Sequence, residues 1–204
     1  MTIERKRLRW NGWGWNDAPD LLGDRAALVW GWIEKVLGGG PLPETPALRI
    51  EDIALPAPRL SGPELAALGA LLAPDRVHTV AYERAFHARG KSYPDLIALR
   101  AGDVSPCPDA VVYPTSREEV QALLQWSARN NAVLVPFGGG SSVVGGVNPP
   151  AGDKAVLCVD LTLMDRLLAL DEDARVAKIE AGAYGPALEQ ALQARGYTLG
   201  HCPQ

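Results

Sequence analysis

A run of glycines directly after an apolar segment constrains this chain more than any other feature. Residues 132–135 are typical of a buried strand, and they are followed by Pro136, Phe137, Gly138, Gly139, Gly140, Ser141 and Ser142, here called the glycine loop. Consecutive glycines weaken a fold, because glycine loses the most backbone freedom on folding. They are useful where a ligand approaches the backbone, since successive N–H groups without a Cβ form a concave nest for an anion. The loop therefore suggests a pyrophosphate-binding site for a dinucleotide.

Neither common nucleotide motif fits the glycine loop. The G-x-G-x-x-G fingerprint finds its first pair in Gly138 and Gly140, but residue 143 is a valine. The G-x-x-x-x-G-K-[ST] motif has the spacing of Gly140 and Gly145, but Gly146 stands where the lysine is required. A mobile glycine-rich loop or a wide hairpin is therefore the alternative at this point.

Composition and charge exclude several classes of protein. The chain has 204 residues, 47% hydrophobic and 22% charged, with a net charge of −4, which suits one domain or one and a half. The mild acidity argues against a nucleic-acid partner, and no apolar run reaches the roughly 20 residues of a membrane span. Three widely spaced cysteines, Cys107, Cys158 and Cys202, fit neither a disulfide framework nor a metal site. They predict a reducing, cytoplasmic compartment, with the thiols as small buried groups.

The first 100 residues are predicted to form a loop-rich, partly helical arm. Helices are expected over 24–37 and 61–72, a polar helical stretch over 78–90 and a strand over 96–100. Near the start, Trp10, Trp13 and Trp15 alternate with small or polar residues. We expect these rings to be buried as an aromatic anchor that packs the arm onto a larger body; a lid or a docking arm is the alternative.

Residues 101–204 are predicted to form an α+β domain. The expected strands cover 109–113, 132–135, 155–160, 167–170 and 174–181, and the expected helices cover 116–130 and 185–195. The spacing in the first of these helices predicts that Val120, Leu123, Leu124 and Ala128 face the core.

Segments across this second region resemble the vanillyl-alcohol-oxidase-type, or PCMH-type, FAD-binding fold. The glycine loop reproduces that family's P-x-G-G-G-[ST]-S hallmark, and residues 109–120, 159–164 and 176–192 resemble the family's flanking segments in the right order. A narrower resemblance, to the alkylglycerone-phosphate synthase family and its bacterial FAD-linked oxidoreductase relatives, rests on Arg9–Gly14, Arg84–Gly90 and Gly200–Gln204. The resemblance implies an α+β, PCMH-type FAD-binding domain, of which the chain holds the first half.

The resemblance also assigns a cofactor and its contacts. It implies that the backbone amides of Gly138–Ser142 hold the FAD pyrophosphate, that residues 136–137 line the strand end, and that His201 and Gln204 lie near the flavin ring. Ser141 stands where covalently linked relatives carry a flavin-bonding histidine. Because a serine cannot form that bond, the resemblance implies non-covalent FAD.

Arg84, His87 and Arg89 are candidates for a clamp on an anionic substrate, because guanidinium groups pair well with phosphate or carboxylate. A solvated helical face is the alternative. No catalytic residue and no metal ligand is assigned.

The resemblance implies two activities. One exchanges the acyl chain of an acylated dihydroxyacetone phosphate for a fatty alcohol, with the flavin N5 as a covalent electron trap; the other oxidises a 2-hydroxy acid such as D-lactate or glycolate by hydride transfer to FAD. A third interpretation is a non-catalytic FAD-binding fragment. We expect a small-molecule substrate and a homodimer at full length, with peripheral membrane contact left open. We also expect the chain to be cut short within its domain, so that alone it binds FAD weakly and is inactive.

Overall fold

The computed structural model describes residues 5–38, 40–42, 46 and 48–200. The helices in these ranges are α1 (Ala26–Leu37), α2 (Gly62–Leu72), α3 (Ala81–Phe86), α4 (Tyr93–Arg100), α5 (Arg117–Asn130) and α6 (Gly185–Gln193). The strands are β1 (Val77–His78), β2 (Ala110–Val112), β3 (Val133–Phe137), β4 (Val156–Asp160), β5 (Leu167–Asp171) and β6 (Val176–Ile179). None of the helices in the described part of the chain has the length and apolar character needed to cross a bilayer.

Four strands form the central sheet, in the order β1-β2-β4-β3. β4 runs parallel to both β2 and β3, and β1 is an antiparallel edge strand. The register places Pro136 opposite Val159 and Phe137 opposite Asp160. Because the carboxyl ends of parallel strands share one edge of a sheet, the glycine loop and Asp160 emerge side by side, at the edge where open α/β sheets bind ligands.

Both faces of the central sheet are covered. All five residues of β4 are buried, as expected for a parallel strand between two layers. One apolar cluster joins α3 and α4 to the face that carries Val111, Phe137 and Cys158. The other joins α2 and α5 to the face that carries Leu157 and Val159. The core therefore fixes the edge from which the glycine loop leaves.

The arm contributes directly to this sheet, since β1 comes from residues 77–78 and pairs with β2. Arg59 adds a second attachment, donating from Nη2 to Oδ2 of buried Asp109 at 2.8 Å. The same carboxylate oxygen accepts the backbone N–H of Val156 at 2.7 Å. The domain boundary at residue 100 stays a prediction.

The α+β class and most predicted elements are confirmed, but three predictions from the arm and from α5 are wrong. The strand expected over 96–100 is the last part of α4, which begins where Ser92 accepts a hydrogen bond from the backbone N–H of Asp95. The helix expected over 78–90 shortens to α3, because Val77 and His78 pair with β2. In α5, Leu124 is 58% exposed and Ala128 is exposed, whereas Leu123 and Trp126 are buried.

The strand pair β5–β6 and helix α6 follow β4 in the chain. Gly182, which lies between β6 and α6, packs against the backbone just after β4. The backbone N–H of Gly182 donates to the carbonyl of Met164 at 2.9 Å. A Cβ on Gly182 would lie 1.7 Å from the carbonyl oxygen of Leu161. That oxygen belongs to the backbone and has no flexible end, so only glycine fits.

We expect Gly182→Ala to lower the free energy of unfolding by about 3 kcal/mol, because overpacking a tight site costs about 1–3 kcal/mol or more. Urea denaturation followed by circular dichroism measures the change. The matched control is Gly31→Ala in exposed α1, where a Cβ meets nothing within 4 Å and helix propensity favours alanine by about 1 kcal/mol. Equal stability of Gly182→Ala and the wild type would contradict the close approach.

Candidate dinucleotide-binding site

The glycine loop leaves β3 at Phe137 and turns sharply at Gly140. Gly140 has φ +68°, and a Cβ there would lie 2.5 Å from Cζ of Phe137, so this glycine is required by the fold. Gly138 differs, because a Cβ there would meet no protein atom within 4 Å. The open side of Gly138 faces a cavity. The missing side chain therefore leaves room for a ligand and is not required by packing within the protein.

The cavity beside the glycine loop has a volume of about 460 Å³, within the range of small-molecule sites. Gly138, Gly139 and Ser141 form one wall, and residues 181–186, which lead into α6, form a second. Among the described residues that line it, Arg9 and Lys91 are cationic and none is a carboxylate. The excess of positive charge favours an anionic ligand.

The third wall is the N-terminal hairpin, residues 7–16. Arg9 N–H donates to the carbonyl of Gly14 at 2.9 Å, and Asn16 N–H donates to that of Arg7 at 2.7 Å. Trp10 packs on the core, as expected of an anchor, but Trp13 and Trp15 are 38% and 41% exposed and line the cavity. The expectation that these two rings are buried is therefore wrong.

A buried charge cluster lies under the glycine loop. Asp160 is fully buried and forms an ion pair with Arg5. Its Oδ2 lies 2.9 Å from Nε2 of His87, and its Oδ1 accepts the backbone N–H of Thr162 at 2.9 Å. Arg5 also donates to the carbonyl of Gly138 at 3.4 Å and to Oγ1 of Thr162 at 3.2 Å. The cluster therefore connects the chain's first described residue to the backbone of the loop.

The surroundings keep the cluster charged. Burial alone would raise the pKa of Asp160, but the hydrogen bond with His87 and the positive charge of Arg5 outweigh it and hold the pKa below its usual value. Rings of Phe86, Phe137 and Tyr113 surround the Arg5 guanidinium at 5.5–5.8 Å, a distance at which cation–π attraction is favourable.

The three residues suggested as a substrate clamp have partners within the fold. Arg84 is 3% exposed and donates to the carbonyls of Pro108 and Pro56 at 2.7 and 2.8 Å. Arg89 donates to the carbonyl of Ser105 at 2.7 Å, and His87 belongs to the buried charge cluster. The alternative of a solvated helical face is wrong for Arg84 and His87, and their role toward a substrate stays a prediction.

The Arg84–Gly90 segment of the arm also contacts the end of the glycine loop at Ser142. A Cβ on Gly90 would lie 2.3 Å from the carbonyl oxygen of Ser142, and the same oxygen accepts the backbone N–H of Lys91 at 2.7 Å. Ser142 is thus fixed by backbone contacts. Cys107 and Cys158 are buried, as expected. His201, Cys202 and Gln204 lie outside the described residues.

Comparison with known proteins identifies the class of this site. Residues 108–204 match a family model described as an FAD binding domain. The glycine loop and the cavity wall at 181–186 both lie within that match. This part of the chain is therefore similar to the FAD-binding domain family, and the match supports FAD as its cofactor. The predicted PCMH-type fold is confirmed.

Individual relatives extend the likeness over the arm. The chain is 33% identical over 220 residues to an alkyldihydroxyacetonephosphate synthase of Dictyostelium discoideum, a match that covers 97% of this chain and 36% of the relative. A solved alkyldihydroxyacetonephosphate synthase is similar with a TM-score of 0.84 and 34% identity, over 97% of this chain and 40% of that one. An uncharacterized FAD-linked oxidoreductase of Escherichia coli K12 is 31% identical over 116 residues, 57% of this chain and 23% of its own. The chain thus spans little more than a third of the synthase relatives.

The sequence predicts the glycine loop, but it does not predict the buried charge cluster or the position of Lys91 in the cavity. Arg5 and Lys91 stand in polar stretches without a recognisable motif. Asp160 and Gly182 lie in segments that resemble the family, so that resemblance is a signal that could have pointed to both residues.

Arg5→Met is expected to lower the free energy of unfolding by about 3–5 kcal/mol, because it leaves buried Asp160 without its cationic partner. The matched control is Arg7→Met, which removes an exposed ion pair with Asp17 and should have little effect, because solvent-exposed ion pairs stabilise folds only weakly. Thermal and urea unfolding of both variants at pH 7 measures the difference. Equal effects of the two substitutions would show that the buried cluster does not stabilise the fold.

Proposed function

We propose that this chain is the FAD-binding part of an enzyme that exchanges the acyl chain of an acylated dihydroxyacetone phosphate for a fatty alcohol. The observation that carries the proposal is that the likeness to the synthases covers both the cavity and the N-terminal hairpin that closes it. A likeness confined to the FAD-binding domain would not distinguish this activity from others on the same fold.

The cavity suits the pyrophosphate of FAD. The glycine loop brings its backbone close to the cavity without side chains, and the open side of Gly138 leaves room for the phosphates to approach the N–H groups. We assign the amides of Gly138–Ser142 to that contact, with residues 136–137 at the strand end and His201 and Gln204 toward the ring. Ser141 offers no nitrogen for a covalent link, so FAD is held non-covalently. When bound, the flavin supplies the electron-accepting ring.

In this proposal the chain's own residues orient the cofactor. Arg5 of the buried charge cluster donates a hydrogen bond to the carbonyl of Gly138. The backbone N–H of Lys91 donates to the carbonyl of Ser142, which Gly90 allows to approach closely. In the hairpin, Trp13 and Trp15 line the cavity beside the proposed position of the dinucleotide. The phosphate of the substrate, a homodimer and a cytoplasmic location belong to the same proposal. The assignment of Arg84, His87 and Arg89 to a clamp on the anionic substrate also belongs to it.

A second candidate activity is oxidation of a 2-hydroxy acid. The likeness to an FAD-linked oxidoreductase supports it, and so does 34% identity over 89 residues to a protein named mitochondrial D-lactate dehydrogenase (cytochrome) of Arabidopsis thaliana. Both matches leave out about half of this chain, whereas the synthase match covers nearly all of it.

Two parallel assays of the intact protein, meaning the whole enzyme of which this chain is proposed to be the FAD-binding part, distinguish these activities. The intact protein is incubated with an acylated dihydroxyacetone phosphate and isotope-labelled hexadecanol, and in parallel with D-lactate or glycolate and a dye acceptor. We expect label in an ether-linked product and no dye reduction. Dye reduction without labelled product would reject the transferase in favour of the oxidoreductase.

Gly138→Val is expected to abolish FAD retention and to leave the free energy of unfolding of the flavin-free protein within about 0.5 kcal/mol of the wild type, because its Cβ enters ligand space and meets no protein atom within 4 Å. Visible absorbance after desalting and urea unfolding of the intact protein are measured together. Gly140→Ala provides the contrast, since it should lower stability through the clash with Phe137. Full flavin absorbance in Gly138→Val would refute the loop assignment.

A further inference from the structure

Lys91 is a cation held inside the cavity by the two segments that bound it. Its backbone N–H donates to the carbonyl of Ser142, at the end of the glycine loop, at 2.7 Å. Its Nζ donates to the carbonyls of Trp10 and Arg9 in the N-terminal hairpin, at 2.7 and 3.3 Å. The side chain therefore has a fixed position between loop and hairpin.

The Lys91 ammonium group has more N–H donors than the described residues have acceptors for it. A lysine ammonium has three N–H donors, and the part of the chain that the structure describes offers two acceptors, both neutral carbonyls. Asp95, whose charge acts against the burial that lowers the pKa of Lys91, already accepts hydrogen bonds from Asn148 at 2.8 Å and from Ser92 at 2.6 Å. Since none of the described residues that line the cavity is a carboxylate, the charge of Lys91 favours an anion as the third partner of its ammonium group.

We propose that Lys91 binds a phosphate group in the cavity and supplies the full positive charge that the backbone amides of the glycine loop lack. The phosphate has two sources, the pyrophosphate of FAD or a phosphate ester of the substrate. This inference rests on the proposed placement of FAD beside the glycine loop.

The surroundings of Lys91 make this contact sensitive to pH. Burial lowers the pKa of Lys91 to about 8, against the opposing charge of Asp95. Arg9 also lines the cavity, Arg89 pairs with Asp95 at 3.8 Å, and burial raises the pKa of Tyr184 so that this phenol stays neutral. Lys91 is therefore charged at pH 7 and neutral near pH 9.5. Phosphate binding should weaken as the pH rises through about 8.

The test uses the intact protein stripped of flavin and titrated with FAD and with riboflavin, which has no phosphate. Lys91→Gln keeps N–H donors for the hairpin carbonyls but removes the charge, and Lys91→Arg keeps the charge. Exposed Lys154, outside the cavity, gives the control Lys154→Gln. We expect Lys91→Gln at pH 7 to raise the Kd for FAD about tenfold, the order of one charged hydrogen bond. Riboflavin affinity should not change, and Lys91→Arg and Lys154→Gln should match the wild type.

The pH profile gives a second readout. The wild-type Kd for FAD should rise about tenfold between pH 7 and pH 9.5, whereas those of Lys91→Gln and Lys91→Arg should stay flat. Weaker binding of glycerol 3-phosphate to FAD-loaded Lys91→Gln, with FAD affinity unchanged, would support the contact with the substrate phosphate as its source.

Two results would overturn the inference. One is unchanged affinity of Lys91→Gln for both FAD and glycerol 3-phosphate. The other is an equal loss for FAD and riboflavin, which would make Lys91 a hairpin tether alone. A wild type that binds no FAD would instead reject the proposed function.

Discussion

The parallel pairing of β3 with β4 is the constraint on which the site depends. It sets Phe137 opposite Asp160, so one strand ends in the glycine loop and its neighbour ends in a buried carboxylate. Asp160 then requires cationic or hydrogen-bonding partners, because an unpaired buried charge is costly. Arg5 and His87 provide them from the arm. The need to neutralise one buried carboxylate thus ties the arm to the strand ends.

The arm is consequently part of the site. β1 completes the edge of the central sheet, Arg59 secures Asp109, Gly90 allows close contact with Ser142, and the N-terminal hairpin forms a cavity wall. These contacts give a physical reason why the likeness to the alkyldihydroxyacetonephosphate synthases runs through the arm. Removing the hairpin would remove one wall of the cavity together with Trp13 and Trp15.

The parts of the fold with local signals could be predicted from the sequence. Ser61 and Ser116 begin α2 and α5, and the glycine loop follows its strand as expected. The prediction of a strand over 96–100 is wrong because these residues end α4, whose start at Ser92 and Pro94 carries the signals of a helix. The buried charge cluster could not be predicted, because Asp160 and His87 are 73 residues apart and only the folded sheet brings them together. The orientation of Trp13 and Trp15 likewise depends on a cavity that no local pattern describes.

The central claim is that backbone amides of the glycine loop hold the dinucleotide. Hydrogen–deuterium exchange of the intact protein, with and without FAD, tests it at peptides covering residues 136–146. We predict strong slowing of exchange in this segment when FAD is bound, because the amides of Gly138–Ser142 become donors to phosphate. The exposed helix α1 serves as an internal reference that should not change. Equal exchange of the loop in both states, with FAD demonstrably bound, would contradict the account.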